Sequence, residues 1–536
     1  HFFQLLNLYI ILYTELCSTY LMKATYILPC LLSLNALFKV LYPAVQHIVS
    51  VGVGHASKSV CSGVFLSNRT AQSVEENELK GITALLIVPK VNSTDRTVTS
   101  TFLGISKDIS EALSLRIGTA KYLGPAFGCS LTMETFKKSP EFYDFNTMQG
   151  FVTEDVSTGS KSSCDVVDET NGACKADQLA SSNTDHLNID CFNSVLDTEF
   201  GEAGFLQNQS RAIVVSHDSQ IIAERYQQLL GITHETRLLG WSMTKSLFSA
   251  IIGVAIEQGL VTLDTPAKLE HLKPAQRERL IEKTNGEAIT FRHLLQMYDI
   301  LGFVEDYSPM KDVVFMLYGT YETVKFSSSR QTFSDANRSP GDGWYYSSAV
   351  SNLLSEELRG LFSSDIEYWE FPRKYLFSKI GAHSFAIEMD AKGVFVASSF
   401  GYATARDWTK LGELLLNSGR HNGEQIVNRD FLEFATKPHP RSAGHYGAHI
   451  WLNPAIATAS EDAILADEHP VRKKKDWLRE IVPHDAYYMS GHDGQSVFVL
   501  PADKLVITRL GFTQGPEEYT HALMKSLLQC VERKKD

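Results

Sequence analysis

Ser242 and Lys245 stand three residues apart in Gly240-Trp241-Ser242-Met243-Thr244-Lys245-Ser246, directly ahead of the apolar run 247–256. Residues three apart share one face of a helix, so this hydroxyl and this amine can meet. A serine hydroxyl becomes a usable nucleophile when a neighbouring base takes its proton. A lysine desolvated on an apolar helix shifts toward the neutral form that can be that base. The chemistry on offer is acyl transfer through a serine. A chain of this length should hold about two S-x-x-K matches by chance, and it has two. The other, Ser308-Pro309-Met310-Lys311, reads as a helix N-cap with proline at the first helical position, ahead of residues 312–317. The run after Ser242 is apolar nearly all round, which predicts a central, buried helix stopped at Gly259. On these residues alone an N-cap role for Ser242 stays open.

Two segments further on add partners. The first is Trp344-Tyr345-Tyr346-Ser347-Ser348-Ala349, which contains Y-x-S twice, once from Tyr345 and once from Tyr346. The second is Ser490-Gly491-His492-Asp493-Gly494-Gln495-Ser496, an H-x-G leading into the apolar strand 497–500. Other H-x-G matches read differently. His421-Asn422-Gly423 lies in a polar stretch and reads as a surface turn. His445-Tyr446-Gly447 runs into 446–451, which reads as an interior strand. A buried tyrosine with a satisfied hydroxyl is the ordinary alternative for Tyr346.

The order S-x-x-K, then Y-x-S, then H-x-G resembles the serine β-lactamase and penicillin-binding-protein superfamily. The Tyr-Ser-Ser and Gly-His-Asp-Gly-Gln forms are similar to those of its β-lactamase-related serine hydrolase branch, which includes esterases and 6-aminohexanoate-dimer hydrolase. The resemblance covers residues 196–536 and extends to Ser399-Phe400-Gly401-Tyr402 and Tyr446-Gly447-Ala448-His449-Ile450-Trp451. It implies an α/β (α+β) fold: an antiparallel β-sheet flanked by helices, plus a mostly helical subdomain, here with a small N-terminal extension. It implies Ser242 as nucleophile, Lys245 as base and Tyr346 as the proton donor to the leaving group. His492, Gly494, Gln495 and Ser348 would bind substrate, with the backbone N–H groups of Ser242 and Gln495 holding the oxyanion. His492 stands where many members carry the lysine of K-T-G. Histidine supplies no permanent charge, so neutral esters or amides are favoured over carboxylate-bearing β-lactams, unless Arg509 fills that role. The resemblance also covers the phrases around Cys61 and Cys129, which recur in the branch's N-terminal extension and are expected to pair. Two other readings stay open: a catalytically silent binding module of the same fold, and a transpeptidase-like acyl transferase.

The elements around these motifs follow from pattern. Residues 212–217 and 220–226 read as a hairpin opening the domain, 497–500 and 504–510 as one closing it, and 517–532 as a terminal helix. In the extension, 81–88 and 96–102 read as strands. The expected organisation is a hydrophobic leader over 1–50, the extension over 51–152, a polar linker over 153–195 and the hydrolase domain over 196–536. A charged insertion over 459–485, with Arg472-Lys473-Lys474-Lys475, reads as a solvated loop.

The chain has 536 residues and net charge −12, enough for a large core and contrary to nucleic-acid binding. It carries no Walker motif, G-x-G-x-x-G or H-E-x-x-H, and its His and Cys positions give no tight metal-ligand spacing beyond a loose Cys164/Cys174 pair. No cofactor and no metal are expected. Met22-Lys23 followed by apolar residues suits a signal peptide or an uncleaved anchor, with a membrane tether through residues 24–53. Asn68, Asn92, Asn208 and Asn337 are glycosylation sequons. Six of the eight cysteines lie downstream of the leader. Together these place the domain in a secreted or membrane-anchored, extracytoplasmic setting, acting on a small-molecule or peptide-like amide or ester.

Overall fold

The computed structural model describes residues 27–134, 186–283, 286–298, 300–308, 310–330, 344–439, 442, 444–453, 481–513 and 515–532. Met22, Asn337, Cys164, Cys174, the basic run 472–475 and most of the expected polar linker lie outside them.

The catalytic unit is built on a six-stranded antiparallel sheet in the order β12-β13-β14-β15-β5-β6. Its strands are β5 (Ser210–His217), β6 (Gln220–Tyr226), β12 (Trp451–Leu452), β13 (Tyr487–Gly491), β14 (Gln495–Leu500) and β15 (Leu505–Gly511). The two hairpins legible in the sequence form, with Val215 opposite Ala223 and Phe498 opposite Ile507. They meet through β15 and β5, Ile507 facing Val215. Strand β5 is buried along its whole length. A strand covered on both faces has no reason to alternate, and its centre, residues 212–215, is a continuous apolar run. A three-stranded sheet, β7 (Leu238–Leu239), β9 (Gly401–Ala403) and β8 (Ala386–Ile387), ties the nucleophile region to the helical part, and β10 (Arg420–His421) pairs with β11 (Glu424–Gln425).

Helices cover the sheet. Helix α2 (Ile189–Phe200) packs on β6, α3 (Met243–Glu257) on β13 and α5 (Ala405–Leu416) on β15 and β14. The approach of α5 is close: a Cβ on Gly412 would stand 2.6 Å from Val506 and 2.8 Å from Val497. Helix α4 (Ser348–Arg359) follows the Y-x-S segment, and α6 (Pro516–Leu528) packs against α2. A disulfide between Cys191 and Cys530 fastens α2 to the chain just beyond α6.

The N-terminal unit has its own sheet, β1 (Ile87–Asn92), β2 (Thr97–Phe102), β3 (Ile117–Gly124) and β4 (Gly128–Glu134), in sequential order. Helix α1 (Ile27–Cys61) lies across it. Val49, Val53, Ala56 and Val60 of α1 form a core with Val98, Ala120 and Leu131. Gly118 passes so near the helix that a Cβ there would stand 2.2 Å from the Val53 carbonyl. Cys61 and Cys129 are joined as a disulfide, as the resemblance implied.

Several expectations are corrected. The boundary at residue 50 falls inside α1, because its residues from Val49 onward bury against the sheet. The stretch read as a strand over 81–88 is helix over Gly81–Leu86 before β1 begins. Periodicity cannot separate a short apolar helix from a buried strand. Pro89 sits inside β1, an edge strand, where its missing N–H costs no ladder bond. Residues 446–450 form a turn closed by a Tyr446–Trp451 bridge, with His449 at φ 56°, and only Trp451–Leu452 are strand. Ser308 caps no helix: its hydroxyl donates to Asp306 at 2.6 Å, and the helix Asp312–Val314 is preceded by Lys311. Among the described residues, no helix is long and apolar enough to cross a membrane.

The two units are held together by a buried ion pair. Lys58 of α1 meets the Glu388 carboxylate and the Cys129 carbonyl. Glu388 also accepts from the Ser62 hydroxyl at 2.6 Å and from Cys129 N–H at 2.7 Å. Gly128, at φ 55°, leaves the space: a Cβ would fall 2.4 Å from Glu388 Oε1. Removing one partner of such a pair strands a buried charge, typically costing about 3–5 kcal/mol. Glu388→Leu should therefore lower the denaturation midpoint strongly, and Lys58→Met/Glu388→Leu should recover most of the loss. A urea titration in which the single variant matches wild type would contradict this.

Candidate active site

Ser242, the candidate nucleophile, is positioned by the turn before α3. Trp241 adopts φ 48°, a left-handed conformation that costs a bulky residue energy and persists only where the surroundings enforce it. Here Gly240 N–H donates to the Gly401 carbonyl at 2.8 Å, Gly401 N–H donates to the Thr244 hydroxyl at 2.8 Å, and Thr244 donates to the Trp241 carbonyl at 2.6 Å. Gly240 itself has no room for a side chain, since a Cβ would stand 2.3 Å from Trp408. Ser242 follows at the N-cap position of α3, and its side chain makes no capping hydrogen bond. The hydroxyl left uncommitted as a cap is the one Lys245 reaches.

Lys245 Nζ donates to Ser242 Oγ at 3.1 Å, to Ser348 Oγ at 3.0 Å and to the Ser398 carbonyl at 2.9 Å. The side chain is fully enclosed, and the ammonium lies 4.8 Å from the centre of the Tyr346 ring. Burial pushes the amine down to about 8, with the negative charge of Glu305 pulling the other way. The amine therefore exchanges its proton close to neutral pH.

Tyr346 is stacked on Trp451, with ring centres 5.3 Å apart, and its hydroxyl faces Ser242. Burial, then the charge of Glu305, push its phenol far above the usual range, so it keeps its proton. Tyr345 turns the other way and accepts from Glu305 N–H at 3.0 Å. Of the two Y-x-S readings, the one from Tyr346 lies at the Ser242–Lys245 pair.

Ser348, the first residue of α4, is buried; besides accepting from Lys245, its hydroxyl donates to Glu305 Oε1 at 2.6 Å and its N–H to Oε2 at 2.8 Å. Its contacts hold the lysine in place. Glu305 was invisible in the sequence, as was Tyr307, whose hydroxyl donates to Glu305 at 3.2 Å and also faces Ser242. Neither belongs to a motif. Both come from the loop that folds across the mouth of the site.

His492 sits beside this cluster, its side chain 42% exposed. It stacks on Tyr307 at 4.9 Å and meets the edge of Trp241 at 5.7 Å. His492–Gly494 form a tight turn between β13 and β14, with Asp493 at φ 57° and Gly494 at φ 81°. Gln495 opens β14, and its side chain props that turn: Nε2 donates to the His492 carbonyl at 3.0 Å and the Gly511 carbonyl at 2.7 Å. Its amide side chain is thereby committed within the protein. Arg509 donates to the carbonyls of Asp493 (3.1 Å) and Gly494 (2.9 Å) in the same turn and of Asn208 (2.9 Å) outside it. Among the described residues, no group of three or more His, Cys, Asp or Glu side chains could hold a metal ion.

Residues 203–528 match the Beta-lactamase family. The 6-aminohexanoate-dimer hydrolase of Paenarthrobacter ureafaciens is 26% identical over 236 residues, 41% of this chain and 56% of that protein. The chain thus spans just over half the length of that curated relative. Among solved structures, a penicillin-binding protein homologue from Caulobacter crescentus matches with TM-score 0.46 at 13% identity, over 64% of this chain and 98% of its own. A family VIII carboxylesterase matches with TM-score 0.44 at 14% identity, over 64% and 98%. With a family match over more than half its length, this chain belongs to the beta-lactamase family of hydrolases.

Proposed function

We propose that the chain is a serine hydrolase that cleaves an ester or amide through an acyl-enzyme on Ser242. The observation that carries this reading is the enclosed Lys245 amine, 3.1 Å from Ser242 Oγ and lowered to about 8. Neutral Lys245 takes the Ser242 proton as Oγ attacks the carbonyl carbon. The oxyanion is received by the N–H groups of Ser242, at the start of α3 where the helix dipole helps, and of Gln495. Tyr346, still protonated, gives its proton to the departing alcohol or amine and is reprotonated from Lys245. Water then attacks the Ser242 ester, the acid leaves, and Ser242 Oγ recovers its proton. The high affinity of Tyr346 for its proton supports Lys245 rather than a phenolate as the base. The two disulfides support an extracytoplasmic setting, where such bonds persist.

A fluorophosphonate probe tests the nucleophile. Wild type and Ser308→Ala should both be labelled, since the exposed Ser308 hydroxyl serves only a local turn around Asp306. Ser242→Ala should lose labelling and all ester hydrolysis, and a fully active Ser242→Ala would end the reading.

The base form of Lys245 is the working form, so activity grows as the proton leaves. kcat/KM for a neutral ester should rise with pH and level off above about 8. Glu305 holds that value up, so Glu305→Gln should move the rising limb to lower pH. An unmoved limb would show that another group titrates.

Among the described residues, Arg509 is committed within the fold and the His492 side chain carries no permanent charge, which favours neutral substrates. Neutral p-nitrophenyl esters should be cleaved more efficiently than nitrocefin. His492→Lys should shift the ratio toward nitrocefin by about tenfold, the difference between a charge-assisted and a neutral hydrogen bond. Nitrocefin turnover by wild type at or above that of its best neutral ester would contradict this.

A further inference from the structure

A cavity of about 570 Å³ lies between the N-terminal unit and the catalytic unit, within the size range of small-molecule sites. Val45, Val49, Ile87 and Phe102 wall it on one side, Val314 and Leu317 on the other. Its catalytic end is framed by Trp241, Tyr307 and His492. Trp241 is the chain neighbour of Ser242, and Tyr307 faces the Ser242 hydroxyl, so the cavity opens directly beside the nucleophile.

The few charged or titratable groups in the lining already have partners. Arg211 pairs with Glu78 at 3.1 Å, and Glu78 also with Arg69. The Lys80 ammonium lies 4.1 Å from the centre of the Phe512 ring. Asp493 lies 3.4 Å from His492. His55 packs edge-on to Tyr318 at 4.8 Å, and burial pushes its imidazole down to about 4, so it is neutral at physiological pH. What remains for a ligand is a long apolar wall.

We infer that this cavity binds the hydrocarbon chain of the acyl group, so that the substrates are medium- or long-chain acyl esters or amides. The inference rests on the serine-hydrolase reading of Ser242. The acyl side is assigned because Tyr346, which protonates the leaving group, stands outside the cavity lining and is stacked on Trp451. The leaving group is held toward Tyr346. The acyl carbon bonded to Ser242 Oγ continues past Trp241 and His492 into the cavity. The N-terminal unit is then part of the substrate site: one wall is made by α1 and the β1–β2 hairpin, and the catalytic unit alone would leave it open.

The test is a series of p-nitrophenyl esters from acetate to dodecanoate on the full chain, with two plugs made at half-buried lining positions, Val45→Trp from the N-terminal side and Val314→Trp from the catalytic side. Burial of a methylene corresponds to about a fourfold gain, so kcat/KM for wild type should rise by about that factor per carbon until the cavity is filled. In each plug the ratio of decanoate to acetate kcat/KM should fall at least about tenfold below that of wild type, by the same burial argument. A flat or falling chain-length profile in an enzyme that cleaves acetate overturns the inference, as does a rising profile that neither plug alters. Absence of both acetate hydrolysis and fluorophosphonate labelling would instead sink the hydrolase reading. Fluorescence titration of Ser242→Ala with cis-parinaric acid then judges the cavity separately. Binding abolished by a plug that retains native circular dichroism supports a hydrocarbon pocket, and no binding to unplugged protein rejects it.

Discussion

Burying an ammonium group is expensive unless acceptors surround it, and the active site is organised around meeting that demand for Lys245. Its acceptors come from three separate places: Ser242 one turn back on α3, Ser348 at the start of α4, and the carbonyl of Ser398 near β9. Each segment must arrive for the amine to be tolerated. Once they have, the remaining desolvation holds the amine near the point of losing its proton. Glu305 sets the balance. It is close enough to oppose the desolvation, yet it spends its oxygens on Ser348 and Tyr307 rather than on the lysine itself. A carboxylate bonded directly to Nζ would favour the charged form and weaken the base.

The other buried lysine among the described residues, Lys58, meets the same demand differently. It meets a carboxylate directly, along with the Cys129 carbonyl, and Glu388 opposes the downward pull of burial on its amine. One buried lysine is ringed by hydroxyls and a carbonyl, the other is paired with Glu388, and that pair clamps α1 onto the catalytic unit.

The parts of the fold that declare themselves in sequence are those with short-range rules. The S-x-x-K spacing works within one helix, and the hairpins β5–β6 and β14–β15 are local pairings with apolar strands on either side of a turn. The order of the three motifs carried the family. Glu305 and Tyr307 were silent because a lone acid and a lone tyrosine in a loop acquire meaning only when the fold sets that loop over Ser242. The Cys191–Cys530 bond was equally silent, since its partners are distant in the chain and no local pattern pairs them. The helix at Gly81–Leu86 was misread because six apolar-rich residues satisfy either period. Ser308 was misread because Asp306 offered its hydroxyl a nearer acceptor than a helix start.

The two disulfides also decide how the molecule carries tension. A pull along the backbone reaches Cys61, crosses to Cys129, continues to Cys191 and crosses to Cys530. Residues 62–128 and 192–529 lie in loops that these bonds bypass. Ser242, Lys245, Tyr346 and His492 all belong to the second loop, so a load applied outside the two bonds runs past this cluster instead of through it.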